Sequence, residues 1–143
     1  MECPFTTINE SSDTIKKILQ ESKNIAIIGL SPDESKDSNM VGRYLKEHGY
    51  NIFPIYPKGE EILGCKVYRS IFEIEDRIDI VNVFRKGDTL AGILDDVLKK
   101  GGIPCIWAQL GVVNDEVALN AKENRISFIQ NKCIKLEHKR YFQ

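Results

Sequence analysis

Two rhythms of apolar residues alternate along this chain. Short, continuous apolar runs stand at 24–30 (N-I-A-I-I-G-L), 51–56 (N-I-F-P-I-Y), 79–84 (D-I-V-N-V-F), 103–108 and 126–129. Runs of that length without polar alternation predict strands buried on both faces. Between them, apolar residues recur at helical spacing. Ile15, Ile18 and Leu19 follow the cap candidates Ser11, Ser12 and Asp13, and Met40, Val41, Tyr44 and Leu45 mark a helix at 39–48, with Asp37 or Ser38 as cap and Gly49 as stop. Leu90, Ile93, Leu94, Val97 and Leu98 mark another at 88–100, before Gly101-Gly102, and 115–123 reads as a fourth. Pro54 inside the second run predicts a missing ladder bond or a sheet edge. A short extended piece at 67–68, a helical turn near 70–74 and a basic tail at 133–143 complete the reading.

Five alternations of strand and helix predict an α/β fold. The expected form is a Rossmann-like, doubly wound parallel sheet of about five strands, with helices on both faces and strand order 3-2-1-4-5. Residues 1–23 read as an N-terminal arm and helix, and 24–143 as the single domain. On such sheets ligands bind outside the carboxyl ends of the strands, where the order reverses.

Composition narrows the choice of partner. The 143 residues carry 20 basic and 21 acidic side chains, a formal charge of −1, which disfavours a general nucleic-acid binder. No apolar run approaches the roughly 20 residues of a membrane helix, and no leader is evident, so a soluble, cytoplasmic protein is expected. Cys3, Cys65, Cys105 and Cys133 are scattered without C-x-x-C pairing, and His48 and His138 are far apart, so neither a disulfide framework nor a zinc site is indicated. Cys105, inside an apolar run, reads as a buried structural thiol. His48 reads as a cation at a helix C-terminus, and His138 as a surface residue of the tail.

The strand ends carry the candidate chemistry. Gly29, Leu30 and Ser31 end the first strand, where glycine permits a sharp turn and the following helix offers free N–H groups to phosphate. Ser31, Ser35 and Ser38 add hydroxyls, and Lys36 and Arg43 add charge. A G-x-G-x-x-G fingerprint would need glycine where Ser31 and Glu34 stand. Tyr56-Pro57-Lys58 replaces the acidic residue that binds ribose hydroxyls in NAD sites, which leaves a ribose-phosphate nucleotide such as NADP or coenzyme A. Val83, Phe84 and Arg85 end the third strand and could border an adenine. Trp107, Gln109 and Gly111 group an indole, an amide and a glycine at the end of the fourth.

With these strand ends in place, the chain resembles a CoA-binding domain protein of the small, stand-alone bacterial and archaeal type. That group is similar to the N-terminal domain of the succinyl-CoA synthetase alpha subunit. The resemblance rests on I-A-I-I-G-L-S at 25–31, V-G-R-Y-L-K-E-H-G-Y at 41–50, P-I-Y-P-K at 54–58 and I-L-G-C-K-V-Y-R-S-I at 62–71. It continues through D-I-V-N-V-F-R at 79–85, W-A-Q-L-G-V-V-N at 107–114 and N-K-C-I-K-L-E-H at 131–138. It implies coenzyme A or an acyl-CoA across the strand ends. The diphosphate would lie at Gly29–Ser31 and the start of the following helix, beside Val41. Lys58 would lie near the ribose phosphate, Val83 to Arg85 beside the adenine, and Trp107, Gln109 and Gly111 towards the pantetheine arm. The family pattern often has Asn-Pro where this chain has Tyr56-Pro57.

The synthetase needs a further domain bearing a phosphorylated histidine, for which 143 residues leave no room. A non-catalytic carrier, sensor or subunit is therefore expected. The alternatives are an NADP-dependent oxidoreductase and a nucleotide-responsive regulator that acts through a protein partner or a homodimer built on residues 1–23. Cys133, beside Lys132 and Lys135, is a candidate for a mixed disulfide with the ligand's thiol.

Overall fold

In the computed structural model, which describes residues 8–143, the two rhythms become a layered α/β domain. Expectations resting on residues 1–7, Cys3 among them, lie outside the described residues. The elements in chain order are α1 (Ser12–Glu21), β1 (Asn24–Ile28), α2 (Asp37–Glu47), β2 (Asn51–Ile55), β3 (Glu61–Ile62), β4 (Cys65–Lys66), β5 (Ile80–Val83), α3 (Leu90–Lys100), β6 (Cys105–Ala108), α4 (Asp115–Glu123), β7 (Ser127–Ile129) and α5 (Ile134–Phe142). Short 3₁₀ turns stand at Ile71–Glu73 and Gly87–Thr89.

Five parallel strands form one sheet in the order β2-β1-β5-β6-β7. Numbered among these five alone, that is 2-1-3-4-5 and not the expected 3-2-1-4-5. The strand after β2 crosses back to pair with β1, and the outermost place is held only by Tyr68, bridged in parallel to Ile55. Pro54 explains the thin edge. Its carbonyl accepts the Tyr68 N–H at 2.8 Å, so its missing N–H lies on the outer side of β2, where little pairing is lost. The order reverses between β1 and β5.

Period-two alternation sends each strand's residues to opposite faces. Ala26, Val81, Val83, Ile106, Ala108 and Phe128 meet α3 and α4 through Leu90, Leu94, Val97, Val117 and Ala121. Ile25, Ile27, Ile80, Cys105, Trp107 and Ile129 face the other way, onto Ile15 and Leu19 of α1, Val41, Tyr44 and Leu45 of α2, and Ile134 of α5. The apolar stripe of α1 is thus spent inside the chain's own core. Ser11 caps α1 by accepting the Thr14 N–H.

Several expectations need correction. The basic tail is a helix, α5, whose Ile134 and His138 are buried. His138 is no surface residue, because its ring is closed in by Tyr44, His48, Tyr50 and Phe142. Leu98 is exposed, its position falling on the solvent side of α3. Neither Asp37 nor Ser38 caps α2, since Lys36 occupies the cap position without a side-chain bond. The β3–β4 hairpin carried no apolar run by which the sequence could reveal it. Cys105 is buried as expected, and burial pushes its thiol pKa up.

Candidate functional site

The turn after β1 lies at the order reversal and is closed by its own neighbours. Gly29 has φ of +87°, and a Cβ there would lie 2.6 Å from the Phe84 carbonyl oxygen, so only glycine fits between the ends of β1 and β5. The Ser31 N–H donates to Ser38 Oγ at 3.0 Å, and the Ser31 carbonyl accepts from Asn39 Nδ2 at 2.9 Å. The hydroxyl expected to cap the helix therefore ties down the loop. The N–H groups of Asp37 and Ser38, in the first turn of α2, find no acceptor among the described residues. They and the helix dipole give this corner a positive potential.

A cavity of about 350 Å³ opens here, lined by Gly29, Ser31, Lys36, Asp37, Ser38, Tyr56, Phe84 and Arg85. A second, of about 710 Å³, is lined by Asp37, Met40, Val41, Phe84, Arg85, Lys86, Gln109 to Val112, Cys133, Lys135 and Leu136. The two share Asp37, Phe84 and Arg85 and are therefore neighbours along one edge of the sheet. Asp37 is the one carboxylate lining either.

Gln109 is the most constrained polar group in the larger cavity. It is 5% exposed, and its Oε1 accepts from the Ile134 backbone N–H at 3.0 Å and from Asn82 Nδ2 at 3.1 Å. A backbone N–H can only donate, so the amide has one possible orientation, with Nε2 carrying the two remaining donors. Asn82, fully buried in β5 opposite Trp107, is held in turn by the Trp107 carbonyl at 3.2 Å. Asn82 was not singled out above. The available signal was a polar residue inside the apolar run D-I-V-N-V-F.

The structure brings together Gly29, Ser31, Lys36, Ser38, Tyr56, Phe84 and Arg85 around the smaller cavity, and Val41, Gln109 and Gly111 in the larger one. It separates others. Trp107 is fully buried, its indole N–H donating to the Lys132 carbonyl at 2.9 Å, so it anchors the segment before α5 and lines neither cavity. Leu30 and Val83 are likewise core. The Arg43 guanidinium folds back on the Glu34 carbonyl and Asn39 Oδ1. Pro57 and Lys58 are exposed and line neither cavity, nor does Ser35, which is bound to Asp33. Cys133 does reach the larger cavity. Asp37, Met40, Lys86, Leu110, Val112, Lys135 and Leu136 were missed as site residues, because they meet only when α2, α5 and the segments after β5 and β6 come together.

His48 and His138 lie away from both cavities, in a separate cluster. Tyr44 Oη lies 2.7 Å from His138 Nδ1, and the His48 ring stacks on Tyr44 at 3.9 Å. Burial, and secondarily His48, hold the His138 pKa below the ordinary 6.5.

Comparison with known proteins bears on the family and the fold. The family pattern described as "CoA binding domain" matches residues 23–139. The uncharacterised protein YneT of Bacillus subtilis (strain 168) is 42% identical over 130 residues, 91% of this chain and 96% of its own. An ADP-forming acetate–CoA ligase of Methanocaldococcus jannaschii is 32% identical over 116 residues, 81% of this chain but only 16% of the ligase. Among solved structures, a hypothetical protein from Pyrococcus horikoshii OT3 superposes with a TM-score of 0.89 at 35% identity, covering all of both chains. A Thermus thermophilus protein gives 0.87 at 32% identity, covering 93% of this chain and all of its own. A Rossmann-like sheet, the glycine-only turn at its order reversal and a family match over most of the length lead to one conclusion: the chain belongs to the CoA binding domain family.

Proposed function

We propose that this protein binds coenzyme A or an acyl-CoA along the carboxyl edge of its sheet, as a carrier, sensor or subunit without chemistry of its own. The observation that carries this reading is the pair of adjoining cavities, the more polar one at the positive end of α2 and the other largely apolar. Coenzyme A has the same division, with phosphates at one end and a pantetheine arm at the other. In this reading the diphosphate takes the Asp37 and Ser38 N–H groups together with Lys36 and Arg85. Tyr56 and Phe84 flank the adenine, and Gln109 Nε2 donates to a carbonyl of the pantetheine arm. Lys58 is left as a solvent-side charge for the ribose phosphate, and Trp107 as a support for the wall. Both histidines are engaged with Tyr44 away from the cavities, which favours a binding role over an acid–base one. No helix among the described residues is long and apolar enough to cross a membrane, which fits a role in the cytoplasm.

Calorimetric titration with coenzyme A, acetyl-CoA, NADP and NAD tests the reading, with Gly29→Glu as control. Micromolar binding of the CoA compounds, lost in the variant, is the expected result. Preference for NADP would point to an oxidoreductase instead, and no binding at all would refute the proposal.

A further inference from the structure

Three of the large apolar side chains left exposed converge on one opening. Leu110 is 59% exposed, Leu136 53% and Met40 37%, and all three line the larger cavity. Scattered apolar residues on a surface are ordinary, but a convergent set around a cavity marks a binding surface. Val41, Val112 and Cys133 line the same cavity. Three of the four charged residues in the lining lie at or beside the shared end. Asp37 and Arg85 are shared with the polar cavity, and Lys86 follows Arg85. The Lys135 ammonium lies 5.7 Å from the centroid of the Tyr44 ring, which is not part of the lining, while its alkyl stem can cover apolar surface.

A free thiol at the end of a pantetheine arm would leave such a rim in water. We propose that the far part of the larger cavity holds the apolar acyl chain of an acyl thioester, with Met40, Leu110 and Leu136 covering it and Cys133 at its side. This inference rests on the coenzyme A reading and names the ligand class it left open. It commits to an aliphatic chain because the cavity adjoins the phosphate end and because its exposed rim is apolar, with the Lys135 ammonium lying near the Tyr44 ring.

The test is a titration series of coenzyme A and its acetyl, butyryl, hexanoyl and octanoyl thioesters. A methylene that becomes fully buried strengthens binding roughly fourfold, and one under a half-exposed rim about twofold. The hexanoyl thioester should therefore bind on the order of tenfold more tightly than the acetyl. The double variant Leu110→Ser, Leu136→Ser, at two exposed positions, should flatten the series, lowering the affinity for hexanoyl-CoA several fold more than that for free coenzyme A. Peptide-level alkylation supplies a second readout, since saturating hexanoyl-CoA should slow modification of Cys133 more than saturating coenzyme A does. Equal affinities along the series, or equal protection of Cys133, with coenzyme A itself bound, would overturn the acyl site alone. Failure of coenzyme A to bind would overturn the underlying reading too.

Discussion

The two cavities on the carboxyl edge of the sheet are built in opposite ways. The smaller takes most of its wall from one stretch, residues 29–38, which leaves β1, turns at Gly29 and enters α2. Its features are backbone features: a positive φ, loop hydrogen bonds and two free N–H groups. The larger draws on segments around residues 37, 84, 109 and 133, and its features are side chains. A backbone seat suits the phosphates, which demand charge and close approach and little else. A side-chain pocket suits the part of a ligand that varies, because its shape changes with single substitutions.

The largest test of this division is Trp107→Ala. The indole is fully buried and tethers Lys132, so its loss should cost about 3–5 kcal/mol in chemical denaturation. The larger cavity should open with it, since α5 loses its support. Gly29→Ala should act on the other cavity, costing about 1–3 kcal/mol through strain at positive φ and the collision with the Phe84 carbonyl. Affinity for coenzyme A should fall at least about tenfold, read by calorimetry. Gln109→Glu acts on the larger cavity through a single amide. The carboxylate can still accept from Ile134 and Asn82, but the Nε2 donor is gone and affinity should fall at least about tenfold, with some loss of stability from a charge in a nearly buried place.

Acidification probes a region belonging to neither cavity. Because the folded state holds the His138 pKa below 6.5, the unfolded chain takes up the proton first as pH falls. Stability is complete above about pH 6.5 and declines below it until the folded pKa is passed. Melting at pH 5 should come a few degrees below melting at pH 7.5, and His138→Gln should reduce that slope. The smallest effect is expected from Asp37→Asn. It should weaken the first turn of α2 by about 0.3–1 kcal/mol, because an acidic side chain there favours the helix dipole. The same change should tighten coenzyme A binding a few fold, most clearly at low salt, by removing the carboxylate shared by both cavities.

Much of this molecule was legible in its primary structure. Apolar runs bounded by Gly and polar residues located all five strands of the main sheet, because burial on both faces leaves no room for polar alternation. The Gly29 turn and the helix that follows were legible for the same local reason. The strand order was not, because nothing local to 79–84 states which neighbour it will pair with. Nor was the fate of residues 133–143. Ile134 and His138, four apart, are the only two of that helix to be buried, and so short a stripe among lysines reads as a tail.

The sequence by itself determined the five main strands, helices α1 to α4 and the glycine turn after β1, since each depends on residues within a few positions of one another. Tertiary structure alone decided that Trp107 would be a support, that Arg43 and Lys58 would leave the cavity walls, and that Cys133, Leu110 and Leu136 would meet across one opening. The physical reason is distance along the chain. Helical and strand periodicities report local conformation, whereas a pocket between α2, α5 and the end of β6 depends on how separately formed elements come to rest.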